Sequence, residues 1–290
     1  MASPYIRRRR LADELRRLRE ARGLTTDELA RLVYQSRTKI SKLENAQIRP
    51  DLAEVVTLLE ALDVTEKQYE RIFKIARTAA SKGWWDKYGN AMGDRQRLYA
   101  DLESGADAIR SYNQTGIPAV LQTPELIAAL IERDQAAGPI TYRPDRMTDA
   151  RMRRQQHLLS PDGPTYDTVL DECVIYRLGV PREVMSAQLR HMTEAISAEP
   201  RISLRVLRYN AYLSGVLMPK SSFSLYSFPE KGDPPMAVVD TVTTDLILTD
   251  RYEVAGYTGH YDLLRKVALP PTDSLAFLAQ AAERLDDGTE

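Results

Sequence analysis

Between Thr25 and Asn45 the chain runs through two short helical patterns with almost nothing between them, and few folds accommodate that. Thr25 offers a hydroxyl N-cap with Glu28 three residues on, the reciprocal pattern of a capping box, and Leu29, Ala30 and Val33 supply one buried side. Only Tyr34 and Gln35 precede Ser36, which caps a further helix with Ile40 and Leu43 inward. Ahead of this pair, Leu11, Leu15 and Leu18 recur at helical spacing over residues 7–22, and Gly23 follows where a helix needs a left-handed cap. Behind it, Leu52, Val55, Leu58, Leu59 and Leu62 mark a helix over 51–62, and another begins near Thr65. The pattern predicts an all-α, five-helix domain over residues 1–80.

Residues 81–94 carry three glycines and the pair Trp84-Trp85 between two helical patterns, so they read as a linker or hinge. The remainder, 95–290, begins helically, with Leu98, Leu102, Ala106 and Ile109 on one stripe and further helices over 125–135 and 144–159. Strands are expected at 166–170, 202–207, 222–228, 236–240 and 245–248, where β-branched and aromatic residues are bounded by Gly, Pro and Asp. Helices return at 181–198, 251–268 and 272–285. Strands and helices in blocks rather than strict alternation predict an α+β domain.

Charge separates the two parts. Residues 1–80 hold 17 Lys and Arg against 12 Asp and Glu, and the remainder 23 against 29. A basic front end favours a polyanionic partner, although a solvated basic helix has the same composition. Cys173 is the single cysteine, which excludes an intrachain disulfide and fits a reducing cytoplasm. No apolar stretch approaches eighteen residues, so no membrane partner is expected. No cofactor or metal is expected either, since the three histidines are scattered with no ligand spacing.

A helix fills the DNA major groove, which is about 12 Å wide. With Ile40 and Leu43 buried, Arg37, Thr38, Ser41 and Lys42 point away from the core, where their donors reach base edges or phosphates. Arg37 is the candidate for guanine, because its planar fork matches O6 and N7 together. Ser36, Lys39, Ser41 and Arg49 are candidates for phosphate. The run from Arg7 to Arg10 either lies along the DNA backbone, with Arg7 and Arg8 on phosphates, or is the solvated start of the first helix.

Residues 11–64, and above all the stretch LRRLREARGLTTDELARLVYQSRTKISKLENAQIRPDLAEVVTLLEALDV from Leu15, resemble the lambda-repressor-like, or XRE-type, helix-turn-helix family. The resemblance implies five compact helices, Thr26 and Asn45 on phosphates, Arg37, Thr38 and Lys42 facing bases, and Arg19 with Glu44 as a structural salt bridge. One departure stands out: relatives usually carry Gly and a β-branched residue in the turn where this chain has Tyr34 and Gln35, and a non-glycine residue at positive φ costs roughly 1 kcal/mol. Residues 80–285 resemble the domain of unknown function, often labelled antitoxin-like, that follows such a module in many actinobacterial regulators. Trp84-Trp85, IPAVLQT, RMRRQQHLL at 151–159, LDECVIYRLG at 170–179 and QLRHM from Gln188 carry that resemblance. It implies regulation of neighbouring genes and, often, a small partner protein encoded nearby.

The expectation is therefore a sequence-specific regulator of double-stranded DNA, acting as a homodimer, cytoplasmic and nucleoid-associated. Its input is either a small-molecule effector, with Trp84, Trp85, Tyr112, Gln122 and Arg154 as candidate pocket liners, or a small partner protein. The competing class is an antitoxin-like interaction protein that autoregulates its gene. An enzyme is not expected: Cys173 sits in an apolar, strand-like run, and no phosphate-cradling loop accompanies Gly256 and Gly259.

Overall fold

A computed structural model describes residues 2–213, 215 and 218–288. It divides into two compact units that are not contiguous in sequence: residues 1–87 with 98–105 and 228–234, and 88–97 with 106–227 and 235–290.

The first unit holds α1 (Pro4–Ala21), α2 (Thr26–Leu32), α3 (Arg37–Glu44), α4 (Leu52–Ala61) and α5 (Glu66–Ala79). Each begins on a side-chain cap, from Ser3, Thr25, Ser36, Asp51 and Thr65, and α2 and α5 carry full capping boxes with Glu28 and Gln68. α1 starts three residues before the sequence pattern suggests, because Ser3 caps it and Pro4 fits its first turn. The first four helices end alike. The residues two past their last turns, Gly23, Tyr34, Ala46 and Asp63, take φ of 65°, 53°, 55° and 50°. In each case two backbone N–H groups fold back on the terminal carbonyls, as when Gln35 N–H donates to Ala30 O and Tyr34 N–H to Arg31 O. Leu11, Leu15, Leu29, Ile40, Leu43, Val55, Leu59 and Ile72 close around one core.

The first unit also takes in segments distant in sequence. Ser3 Oγ donates to Asp101 at 2.6 Å, and Gly105 packs so tightly on Ser3 that a Cβ there would lie 2.2 Å from its backbone nitrogen. Burial pushes the Asp101 carboxyl above its usual pKa.

The second unit is built on a six-stranded mixed sheet, β1 (Ala108–Asn113), β2 (Thr165–Asp171), β3 (Ile202–Leu207), β4 (Phe223–Ser227), β5 (Met236–Val239) and β6 (Leu246–Leu248), in the order β3-β2-β1-β4-β5-β6. β1, β2 and β3 run parallel and β4, β5 and β6 antiparallel. The central strand, β1, lies where the sequence pattern continues a helix. α6 (Asp94–Gly105) stops at Gly105, and the helical spacing from Leu102 through Ala106 to Ile109 is a coincidence of register. The remaining helices are α7 (Pro124–Ala137), α8 (Pro144–Leu158), α9 (Cys173–Tyr176), α10 (Arg182–Ala198), α11 (Arg251–Val267) and α12 (Pro271–Asp286). The strand-like run around Cys173 ends at Asp171, and Cys173 opens the single turn of α9 instead.

One face of the sheet, with Tyr112, Val169, Phe223, Leu225 and Val239, packs on Val254, Tyr261 and Leu264 of α11. Buried Gln188 on α10 accepts from Thr123 N–H and donates to Leu121 O, both at 2.7 Å, and so fixes the start of α7. Among the described residues no helix is long and apolar enough to cross a membrane.

Candidate nucleic-acid interface

α2 and α3 are joined by the turn Val33–Ser36, and α3 turns two opposite sides to its surroundings. Ile40, Leu43 and Glu44 are buried, whereas Arg37, Thr38 and Lys42 are exposed. Burial of Glu44 is possible because Arg19 on α1 grips it bidentately, with Nε at 2.7 Å and Nη2 at 3.0 Å from its two oxygens. The same guanidinium donates to Leu24 O at 2.8 Å, so one side chain ties α1 to both α3 and the turn ahead of α2. The hydrogen bond to Glu44 raises the Arg19 pKa.

Arg37 has 71% of its side chain exposed and makes only a 3.5 Å approach to Asp27. Lys42 forms no ion pair among the described residues. The expected phosphate contacts divide. Ser36 is the N-cap of α3, its hydroxyl accepting from Lys39 N–H at 3.2 Å, and Lys39 pairs with Glu54 on α4. Arg49 donates to both carboxylate oxygens of Asp86, at 2.9 and 3.1 Å. Thr26 opens α2 half-buried. Ser41 and Asn45 bond to each other: Asn45 Nδ2 donates to Ser41 O at 2.7 Å and lies 3.4 Å from its hydroxyl.

Arg16 also enters this region, although the sequence reading gives it no role. Its Nη2 donates to Glu44 O and to Asn45 Oδ1. The available signal was its position one helical turn from Arg19, on the same face of α1. A cleft of about 390 Å³ runs along α3 toward α4, lined by Val33, Ile40, Leu43, Ile48, Pro50 and Leu58 with Lys39 and Glu54.

The expectation for Arg7 and Arg8 requires correction. Arg7 is buried, and its guanidinium lies 2.5 Å from Glu230 and 3.1 Å from Asp233; Arg10 pairs with the same two carboxylates. Gly232 admits this grip, since a Cβ there would lie 2.3 Å from the Arg10 guanidinium carbon. Arg8 is held 3.8 Å from buried Asp101, with its guanidinium over the Tyr5 ring. These arginines form part of the packing of α1 and not a free arm, because neutralising carboxylates reach them from residues 101 and 230–233.

The candidate effector liners are divided between the two units. Trp84 and Trp85 belong to the first unit and meet edge to face, with Trp85 buried against Gly83. Tyr112, Gln122 and Arg154 belong to the second unit, each with different partners. Tyr112 packs on Phe223 and donates to Asp171, Gln122 spans Ile117 O and Arg151, and Arg154 donates to Gln96. Cys173 is half-buried beside Asp171, whose hydrogen bond pushes the thiol pKa up, away from the thiolate. Among the described residues no group of three His, Cys, Asp or Glu side chains is placed to hold a metal.

Comparison with known proteins assigns both parts. Residues 10–72 match a helix-turn-helix domain, a DNA-binding module of transcription regulators, and residues 96–280 match the family described as Domain of unknown function (DUF5753). No curated protein and no solved structure matches the chain. With well over half of its length inside that match, the chain belongs to the DUF5753 family and carries a helix-turn-helix domain ahead of the domain that defines it.

Proposed function

We propose that this DNA-binding regulator reads its operator with α3, Arg37 and Lys42 supplying donors to base edges and Thr38 contacting them alongside. The observation that carries the reading is the division of α3 itself. Its inner side is pinned by Ile40, Leu43 and the Arg19–Glu44 pair, and its outer side presents the exposed Arg37, Thr38 and Lys42. A firmly seated helix with a largely exposed arginine is what direct readout in the major groove needs. Thr26 and Asn45 flank it as phosphate contacts, with Arg16 holding the Asn45 carbonyl and so aiming its amide. Arg49 and Lys39 reach phosphate by exchanging Asp86 and Glu54 for it.

The protein acts as a homodimer, because one recognition helix reads only a few base pairs and two-fold symmetry doubles the site. The DUF5753 domain receives the input, a small molecule or a small partner protein, and has no catalytic role; the raised thiol pKa of Cys173 supports the latter point. A second reading, an antitoxin-like protein holding a small neighbour-encoded partner, is favoured by the apolar surface at one sheet edge. Leu246 on edge strand β6 is 51% exposed, and nearby in sequence Val242 is 98% exposed. Co-purification of such a partner would favour it.

Titration of a mixed-sequence duplex at increasing salt tests the DNA reading. The apparent affinity is expected to fall linearly on logarithmic axes, with a slope of about −0.9 per phosphate neutralised. A flat slope would remove phosphate binding from the account.

A further inference from the structure

Two of the first unit's large apolar side chains stand in solvent two residues apart, Leu32 at 55% and Tyr34 at 95% exposure. Tyr34 is the more demanding of the two. It occupies the left-handed cap position between α2 and α3 with φ 53°, a conformation glycine adopts freely and a tyrosine does not. Its backbone N–H is spent on Arg31 O, so the turn is complete without any help from the side chain. Among the described residues neither its ring nor its hydroxyl has a partner. Ala46 and Asp63 take the same cap conformation, so what sets Tyr34 apart is an exposed aromatic ring, without a partner among the described residues, on a strained turn beside α3.

The surroundings indicate what the ring meets. Tyr34 lies two residues before Ser36, the cap of α3, between exposed Arg31 and exposed Arg37. An exposed ring with an exposed arginine three residues to either side in sequence suits a polyanion with apolar sugar faces better than it suits an apolar protein surface. We propose that Tyr34 is a DNA-contact residue, its ring against a deoxyribose of the backbone beside the groove that α3 enters and its hydroxyl donating to a phosphate oxygen. This rests on the reading of α3 as the recognition helix. A backbone contact carries no base information, so Tyr34 contributes affinity to every duplex alike.

The test uses the full chain and two fluorescent duplexes, one enriched by the wild-type protein from a randomised pool and one of mixed sequence. Tyr34→Gly relieves the strained cap and is expected to raise Tm, yet to weaken binding to both duplexes by about tenfold. Tyr34→Phe, which keeps the ring and the fold, is expected to weaken both by about three- to fivefold through loss of the phosphate hydrogen bond. Arg37→Ala serves as the control, losing preference for the enriched duplex. If Tyr34→Gly binds both duplexes as tightly as wild type while Arg37→Ala loses its preference, the Tyr34 contact is wrong and the α3 reading stands. If the wild-type protein enriches no duplex, both fall.

Discussion

Three residues in the first unit, Tyr34, Ala46 and Asp63, occupy positions built for glycine and carry something else. At Tyr34 and at Ala46, φ near 55° follows a helix end whose carbonyls are already satisfied by backbone donors. Glycine at either position removes the clash between Cβ and the following carbonyl, so Tyr34→Gly and Ala46→Gly are each expected to stabilise the protein by about 1 kcal/mol, read by calorimetry. Ala46 is 8% exposed, so its gain is reduced by the small loss of packing. Unchanged or lowered Tm for both variants would show that the caps carry no strain. Arg19 and Glu44 make the opposite case. Glu44 is 5% exposed and spends both oxygens on one guanidinium, so Glu44→Ala leaves Arg19 without its partner and is expected to cost roughly 3 kcal/mol in denaturant unfolding. The sequence resemblance implies a structural role for this pair, and in the structure the two side chains meet in a bidentate ion pair.

At the scale of elements, α1 is the most heavily anchored helix of the first unit. Glu14 joins it to Arg71 on α5, and Arg7 and Arg10 join it to Glu230 and Asp233. The hydrogen bond from Arg71 holds the Glu14 carboxyl below its usual pKa, and that from Arg7 does the same for Glu230. Because both pKa values are lower in the folded chain, their contribution is present above the unfolded value of about 4.3 and is lost as pH falls through the folded values. Tm is therefore expected to drop on acidification below about pH 5, and Glu14→Gln to lower Tm at pH 7 while flattening that drop. An equally steep drop in the variant would rule out the Glu14 contribution. Elements of this kind differ in how far a sequence displays them. α2 and α3 are readable because their caps, stripes and turn all lie within about twenty residues. β1 is not, since Ser111 is buried on it by a bond to Thr168 of the neighbouring β2 at 2.9 Å, and the twofold alternation that marks a strand is lost. The burial of Arg7 depends on carboxylates more than two hundred residues away, which no local pattern anticipates.

At the scale of the whole molecule, the division between a basic helical front and a larger mixed-sheet remainder is visible in charge and periodicity alone, whereas the helix-turn-helix and DUF5753 matches rest on whole stretches of sequence. The compact units are less visible, because residues 98–105 and 228–234 count with the first unit although most of the second unit lies between them in sequence. The surroundings of the candidate effector liners were not legible for a related reason: composition marks aromatic and polar residues, but what each one packs on is decided across the sheet, as Tyr112 against Phe223 illustrates. The central claim remains that α3 reads DNA bases through Arg37 and Lys42. Genome-wide capture of DNA by the wild-type protein and by an Arg37→Ala, Lys42→Ala variant tests it most directly, each lost base contact removing about 1–3 kcal/mol of discrimination. The account predicts a shared motif among wild-type sites that the variant no longer recovers; capture of the same sites by the variant would contradict it.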